Sequence, residues 1–283
     1  MQLALISDIH GNYKAFEAFL AYIAKREVDG IVCLGDYVTD SPYPERTLIM
    51  LYEMMEKYPC YMVRGNREEY LIDNFYHKKG WKPSSTSGAL YYTSQHVTEA
   101  DIHFFENLPV VRELVMPGCP STLICHGAPL EIRGNLKENP KLKEETLRNL
   151  KEDYLFGGHS HNQEIDERFG KTYVNPGSLG LAIDGRGRHA QFAMIHAEEG
   201  EYGPFWQVEQ ISIPYDVDAF LQDFTVSGLD EYGMILSRGV KKTLVTGINY
   251  FYKAVMEAER ISNKPLWEIP ESVWQQVAER FSL

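Results

Sequence analysis

The first third of the chain alternates short apolar runs with stretches of helical periodicity. The apolar runs lie at 2–7, 30–34 and 60–64, and each has the length of a strand. Between them, apolar residues recur every three or four positions over 13–26 and again after Pro44. This order of strands and helices predicts right-handed βαβ units and a mainly parallel sheet.

A polar segment over 76–100 interrupts the alternation. We interpret it as an active-site loop or a partly helical insertion, followed by a short helix over 98–107. Later apolar runs predict strands at 110–116, 121–126, 154–158, 171–177, 191–197 and 206–213. The last two strands flank Gly200 and Gly203, which predicts an antiparallel hairpin.

The pattern changes after Pro214. Three amphipathic stripes follow, at 217–224, 244–255 and 273–281. They predict three helices, so we divide the chain into a domain over 1–214 and a helical C-terminal extension over 215–283.

A net charge of −12 and an isoelectric point near 5.3 argue against a nucleic-acid polymer as a partner. Binding along such a polymer needs clustered Lys and Arg, so we expect no nucleic-acid partner. A small anionic substrate stays open, because a bound metal can invert the local charge.

Cysteine content and hydropathy favour a cytoplasmic protein. The four cysteines form no CxxC pair, and so few in 283 residues do not build a disulfide framework. No apolar run approaches the roughly 20 residues of a membrane span. The N-terminus has no basic segment and reaches Asp8 too early for a signal peptide. We therefore expect a cytoplasmic location and no membrane partner, and we leave a homo-oligomer open.

Five of the predicted strands end in residues of the types that bind metals. The motifs are DIH at 8–10, GD at 35–36, GN at 65–66, HG at 126–127 and GHSH at 158–161. In open α/β sheets, sites form beyond the carboxyl ends of the strands. A single Asp or His there is usually a turn or packed residue, but the joint pattern favours a metal site. The candidate ligands are Asp8, His10, Asp36, Asn66, His126, His159 and His161.

These motifs, in this order and rough spacing, resemble those of the calcineurin-like metallophosphoesterases. The NPGS segment at 175–178 resembles the corresponding segment of the small bacterial and archaeal phosphodiesterase branch of that superfamily. The resemblance covers about 1–213. It implies an α/β fold that is a four-layer α-β-β-α sandwich of two mixed sheets, here with the helical appendage at the C-terminus.

The resemblance also implies a ligand set for two divalent ions. One ion would take Asp8, His10, Asp36 and His161, and the other would take Asp36, Asn66, His126 and His159. Asp36 would then bridge the ions and act in catalysis, with a hydroxide between them attacking phosphorus in line. Carboxylate, imidazole and amide ligands without thiolate suit Mn, Fe or Zn, and Ni is possible.

Arg67 is where the chain departs from this family. Much of the superfamily has His after the ligand Asn, but Arg cannot donate a proton near neutral pH. Arg67 could clamp a phosphate oxygen in catalysis and substrate binding. The alternative is an ion pair with Glu68, Glu69 or Asp40 on the rim.

Four other residues could contact a substrate. Asn12 is a candidate, although its position before a helix is also that of a cap. Arg133, Arg186 and Arg188 could also reach a substrate, but isolated arginines are more often surface residues.

We therefore expect a dinuclear metal-dependent phosphoesterase that hydrolyses phosphomono- or phosphodiesters of small molecules. The rival enzymes are a protein phosphatase and a dinucleoside polyphosphatase, the latter expected to carry more basic residues. The alternative in which the protein is not an enzyme is a scaffold, like the retromer subunit that has this fold and has lost metal ligands. In this chain all seven ligand positions carry a residue type that can bind a metal, which favours an enzyme over a scaffold.

Overall fold

The computed structural model describes every residue from Met1 to Leu283. Its ten strands are β1 Gln2–Ile6, β2 Gly30–Cys33, β3 Cys60–Met62, β4 Val111–Leu114, β5 Thr122–Cys125, β6 Tyr154–Phe156, β7 Gln163–Arg168, β8 Lys171–Pro176, β9 His189–Gly200 and β10 Gly203–Pro214. They form two five-stranded sheets, in the orders β10-β9-β1-β2-β3 and β4-β5-β6-β8-β7. Each sheet has three neighbouring parallel strands and antiparallel partners at its margins.

Ten α-helices accompany the sheets. They are α1 Tyr13–Ile23, α2 Pro44–Lys57, α3 Asn66–His77, α4 Gly88–His96, α5 Glu99–Asn107, α6 Pro140–Asn149, α7 Val217–Val226, α8 Leu229–Thr246, α9 Tyr250–Ser262 and α10 Glu271–Phe281. A short 3-10 helix at Leu266–Glu268 joins the last two. No helix combines the length and the apolar character needed to cross a membrane.

Three hydrophobic clusters define a sandwich of four layers. Phe16 and Leu51 pack with the outer face of the first sheet, so α1 and α2 cover that sheet. Val32 and Ile195 of the first sheet meet Phe156 of the second, which places a shared core between the sheets. On the far side, α6 packs against β6 and β8. The expected α-β-β-α sandwich of two mixed sheets is confirmed.

The C-terminal helices pack on the sandwich through two further clusters. One cluster is internal to the extension and surrounds the fully buried Trp274. The other joins Phe220 and Val240 to Tyr13 of α1 and Tyr92 of α4. The extension is thus packed against α1 and α4, while its independence as a domain over 215–283 stays a prediction.

The segment 76–100 is a partly helical insertion, and it is tied to α8. The first residue of α4 is Gly88, where a side chain would collide with the carbonyl of Tyr232. The backbone of Ser84 also donates a hydrogen bond to that carbonyl at 3.0 Å. The predicted insertion therefore anchors the C-terminal helices.

Several predicted elements differ from those in the structure. The stripe over 244–255 is not one helix, because Gly247 adopts a φ of +67° and separates α8 from α9. Helix α3 was not predicted, because it begins at the candidate ligand Asn66 and its first turn is polar. Helix α6 and the edge strand β7 were also missed, since both are largely polar and exposed.

Candidate metal centre

Five turns at the carboxyl ends of β1, β2, β3, β5 and β6 bring all seven candidate ligands together. Each turn follows a strand of the sandwich directly, as the sequence predicts. Asp8, Asp36 and His126 are almost completely buried. His161 is more open, with 15% of its side chain exposed.

Most of the ligand turns have an unusual backbone. The residues Asp8, His10, Asp36, His159 and His161 all have a φ between 48° and 63°, in the left-handed region. Such conformations are uncommon for residues other than Gly and cluster at functional sites, where the surrounding structure enforces them. The fold therefore holds these five side chains in fixed directions.

One group of ligands surrounds Asp8. The Nε2 atom of His161 lies 3.3 Å from Asp8 Oδ1, and the Nε2 atom of His10 lies 3.8 Å from it. The two Nε2 atoms are 3.1 Å apart. Three potential metal ligands thus converge within 4.8 Å of one another.

A second group surrounds His126. Its Nε2 atom lies 3.5 Å from Asp36 Oδ2, 4.0 Å from Asp8 Oδ1 and 3.2 Å from Asn66 Oδ1. The ring of His159 stands beside that of His126, with centroids 5.1 Å apart. Asp36 Oδ2 also lies 3.6 Å from His10 Nε2, so Asp36 faces a histidine of each group, as Asp8 does.

Hydrogen bonds fix the direction of two histidine rings, and a carboxylate stands beside a third. The Nδ1 atom of His126 donates to the carbonyl of Leu34, and that of His161 donates to the carbonyl of Leu181, both at 2.8 Å. The Nδ1 atom of His10 lies 3.2 Å from Asp40 Oδ2. Bonds of this kind orient metal-binding histidines and leave Nε2 free for the metal.

The carboxylates and histidines of the site shift one another's pKa values. Burial opposes the charged form of His10, yet the carboxylates of Asp40, Asp8 and Asp36 raise its pKa to about 10. Burial likewise opposes ionisation of Asp8, but His161, His10 and His126 lower the pKa of that carboxyl well below its usual range. Burial and the neighbouring His126 lower the pKa of His159 to about 4, which keeps that ring in the neutral form that binds metals.

The donor set also leaves an atom that a cation would satisfy. Asp8 Oδ1 is buried and makes no hydrogen bond. A buried acceptor without a partner is costly, and a metal ion removes that cost. The residues present therefore fit divalent cations.

Glu68 supports the site and was missed as a functional residue. Its carboxylate is fully buried and accepts hydrogen bonds from the backbone N–H groups of Asp36, Tyr37 and Gly65, at 2.7–2.9 Å. It therefore links the GD turn to the GN turn. A Glu three residues after a cap can signal this role, but Gly65 offers no Ser or Thr to complete the sequence signature.

The NPGS segment joins β8 to the DIH turn. Asn175 donates to the carbonyl of Gly158 at 2.7 Å, and Ser178 donates to the carbonyl of Asp8 at 2.8 Å. Neither residue reaches the ligand groups. The motif thus supports two ligand turns through their backbones.

Asn12 lies below the site and does not reach it. Its side chain is fully buried and caps α1 by accepting from Ala15 N at 3.0 Å. Its amide donates to Gly180 O and Tyr215 Oη, both at 2.8 Å. This geometry is that of a cap and not of a substrate contact, so we do not propose Asn12 for binding.

Arg67 is paired with Asp40 and also faces the site cavity. Its Nη2 atom lies 2.9 Å from Asp40 Oδ2. Burial opposes ionisation of Asp40, but the charge of Arg67 and the neighbouring His10 hold the pKa of that carboxyl well below its usual range. Its backbone N–H donates to Asp36 Oδ1 at 2.8 Å. The guanidinium makes no hydrogen bond elsewhere in the protein and lines the cavity beside Asn66.

The other arginines lie in different places. Arg133 borders the site cavity, stands over the ring of Tyr70 at 4.4 Å and has no carboxylate partner. Arg186 pairs with Asp184 and Arg188 pairs with Asp218, and neither borders the cavity.

A cavity of about 370 Å³ opens above the ligand groups. Its floor includes metal-ligand candidates from four turns. Part of its wall comes from the C-terminal helices. The residues contributed from beyond β10 are Val240, Asn249, Phe251 and Tyr252.

Comparisons with known proteins agree with this architecture. The chain matches the calcineurin-like phosphoesterase superfamily domain over residues 1–200. An uncharacterized protein of Methanocaldococcus jannaschii is 23% identical over 255 residues, which are 81% of this chain and 94% of that protein.

Two solved structures share the fold. A metallophosphoesterase from Sphaerobacter thermophilus is 20% identical, with a TM-score of 0.67 over 88% of this chain and 100% of that one. A hypothetical protein from Pyrococcus horikoshii is 19% identical, with a TM-score of 0.72 over 87% of this chain and 98% of that one. The superfamily is metal-dependent, and the geometry above supplies its kind of ligand. The chain belongs to the calcineurin-like phosphoesterase superfamily.

Proposed function

We propose that the protein is a phosphoesterase that uses two divalent metal ions to hydrolyse phosphomono- or phosphodiesters of small molecules. One observation carries this proposal: seven oxygen and nitrogen ligands from five strand ends converge on one buried centre. The cavity above that centre, at about 370 Å³, has the size of a small-molecule site.

The two groups described above would hold one ion each. Asp8, His10 and His161 would bind the first, and Asn66, His126 and His159 would bind the second. Asp36 would serve both ions, as in the related enzymes of the superfamily; its Oδ2 atom faces a histidine of each group, and so does Asp8 Oδ1. Ions bound there would supply Lewis acidity at phosphorus and lower the pKa of a coordinated water.

In the hydrolysis itself, a water oxygen forms a bond to phosphorus and the ester P–O bond breaks. The alcohol leaves and carries one proton of that water. The two candidate carboxylate ligands, Asp8 and Asp36, face the centre together with the imidazole nitrogens of the histidines. Their buried, fixed positions avoid reorganisation during the reaction, which is the main source of electrostatic catalysis.

Arg67 is proposed to hold a phosphoryl oxygen. Asp40 orients its guanidinium at 2.9 Å, and the remaining N–H groups face the cavity. A guanidinium can bind two oxygens of a phosphoryl group at once. It cannot protonate the leaving oxygen, so the reaction should favour alcohols that are stable as anions.

A substrate panel tests the proposal. The protein is purified without chelator and assayed with Mn²⁺, Zn²⁺, Ni²⁺ and Mg²⁺ on phosphomonoesters, phosphodiesters, nucleotides and a phosphopeptide. Metal-dependent turnover of small esters is expected. Turnover of the phosphopeptide alone would favour a protein phosphatase, and no turnover with any metal would favour a scaffold.

A further inference from the structure

Apolar residues line part of the site cavity, and most of them come from the C-terminal helices. This surface, called the apolar wall, consists of Leu181, Ile183, Val240, Phe251 and Tyr252. Three of these five residues lie beyond residue 200, outside the region that matches the superfamily domain. The extension therefore supplies most of the wall.

The wall is held firmly in place. Backbone hydrogen bonds of 2.8 Å join Gly185 N to Gly247 O and Arg188 N to Leu244 O, which fastens the loop after the NPGS segment to the end of α8. Phe251 packs against both hydrophobic clusters of the extension. The side of Phe251 that remains open is therefore set before any substrate binds.

Two aromatic rings of the wall line the cavity beside polar and charged groups. The guanidinium carbon of Arg67 lies 5.8 Å from the ring centroid of Phe251. Tyr252 is 45% exposed and borders the same cavity. Arg133 and Asn135 also line it. A ligand in this cavity would therefore meet both charged groups and apolar rings.

We infer that the apolar wall binds an aromatic ring in the organic part of the substrate. This inference rests on the proposed function, and it names the substrate class as phosphate esters that carry such a ring. The phosphoryl group lies at the ligand centre and the ring packs against Phe251 and Tyr252. Rings in this arrangement prefer edge-to-face or offset contacts with the two side chains.

The test separates ring binding from the chemistry of the leaving group. The substrates are 2-phenylethyl phosphate and ethyl phosphate, which release alcohols of similar acidity and differ by the ring. The variants are Phe251→Leu, which keeps apolar packing, and Tyr252→Ala. Tyr202→Ala is the control, because Tyr202 is 95% exposed in the β9–β10 hairpin and does not border the cavity.

We expect the wild-type protein to prefer 2-phenylethyl phosphate in kcat/KM. Each wall variant should reduce that preference, measured as the ratio of the two kcat/KM values, by about three- to tenfold, the range of one aromatic contact. The control should keep the wild-type preference. Equal kcat/KM for the two substrates in the wild type, or an unchanged preference in both wall variants, would overturn the inference.

A binding measurement keeps the inference testable if no ester is hydrolysed. Calorimetry compares phenylphosphonate with methylphosphonate on metal-loaded protein, and adenosine 5′-phosphate with ribose 5-phosphate to place the ring on a nucleobase. Tighter binding of at least one ring-bearing ligand, lost in both wall variants, supports the wall even where the proposed hydrolysis fails. Equal binding within both pairs overturns it.

Discussion

At the scale of single residues, the residue types of the candidate ligands and their backbone conformations explain why the side chains converge on one centre. Asp and His tolerate the left-handed conformation better than most residues other than Gly and Asn, and here they adopt it at five ligand positions. The tight turns aim the side chains inward, and backbone carbonyls fix two of the rings. The geometry of this candidate metal site therefore depends on the backbone of the turns as much as on the identity of the ligands.

Arg67 gives the first prediction at this scale. Arg67→Ala should lower kcat/KM by about 10²–10³, the typical cost of one charged contact to the transition state. Metal content should stay the same, because Asn66 still supplies its ligand. Arg67→His should recover part of the activity on esters with poor leaving groups, since His can donate a proton.

The control for Arg67 is Arg186→Ala, which removes an exposed arginine that also pairs with an aspartate. It should leave kcat/KM unchanged. If Arg67→Ala matched the wild type on aryl and alkyl phosphates alike, Arg67 would serve only as the partner of Asp40.

Glu68 gives the second prediction. Glu68→Gln replaces a carboxylate that accepts three backbone hydrogen bonds with an amide that has one acceptor oxygen. Burial and the neighbouring Asp36 raise the pKa of Glu68 to about 7, so the carboxyl is only partly ionised near neutral pH. Because buried N–H groups lose an acceptor in the variant, we expect the free energy of unfolding to fall by about 1–3 kcal/mol. Urea denaturation measures this loss. Glu69→Gln, at a partly exposed neighbour, should change it by less than about 0.5 kcal/mol, and equal effects would refute the structural role of Glu68.

At the scale of elements, close packing between helices fixes the extension. Gly88 lets α4 approach the carbonyl of Tyr232 so closely that no side chain fits. Gly239 within α8 is different, because an added Cβ would lie 3.4 Å from its nearest neighbours in Phe251, an ordinary contact. The two glycines therefore have different roles in similar surroundings.

This contrast gives the third prediction. Gly88→Ala should destabilise the protein by about 1–3 kcal/mol, the usual cost of overpacking. Gly239→Ala should be neutral or stabilise it by up to about 1 kcal/mol, because Ala is the better helix former. Thermal unfolding of both variants checks the signs, and a lower melting temperature for Gly239→Ala with none for Gly88→Ala would contradict the packing.

Many of the strands and helices could be predicted from the sequence, and the elements that were missed have physical explanations. Strands with buried apolar faces, such as β1 and β2, are evident because periodicity reports burial. Helix α3 is hidden because its polar first turn, beginning at Asn66, faces the site. The break at Gly247 depends on the partner loop around Gly187, which sequence proximity does not reveal.

The site shows the same limit. All seven ligand candidates could be found because each follows a strand and has a recognisable residue type. Glu68 acts through backbone groups, and Phe251 acts from an element more than two hundred residues away from Asp8 in the chain. Such residues carry no local signal.

At the scale of the whole molecule, a sandwich supplies the ligands and the extension supplies part of the cavity. The sandwich matches the superfamily domain, whereas α8 and α9 lie beyond the matched residues. Under the proposed function, metal chemistry and substrate choice would therefore come from different parts of the chain. We expect changes in the extension to alter which esters are hydrolysed without altering metal binding.

The central claim is that two metal ions share Asp36, and metal content per chain tests it most directly. Protein purified without chelator is loaded with Mn²⁺ or Zn²⁺, freed of excess metal and analysed beside Asp36→Asn and the exposed control Asp29→Asn. We predict two ions per chain in the wild type and the control, and reduced occupancy of both sites with no turnover in Asp36→Asn. Two tightly bound ions and full turnover in Asp36→Asn would contradict the account.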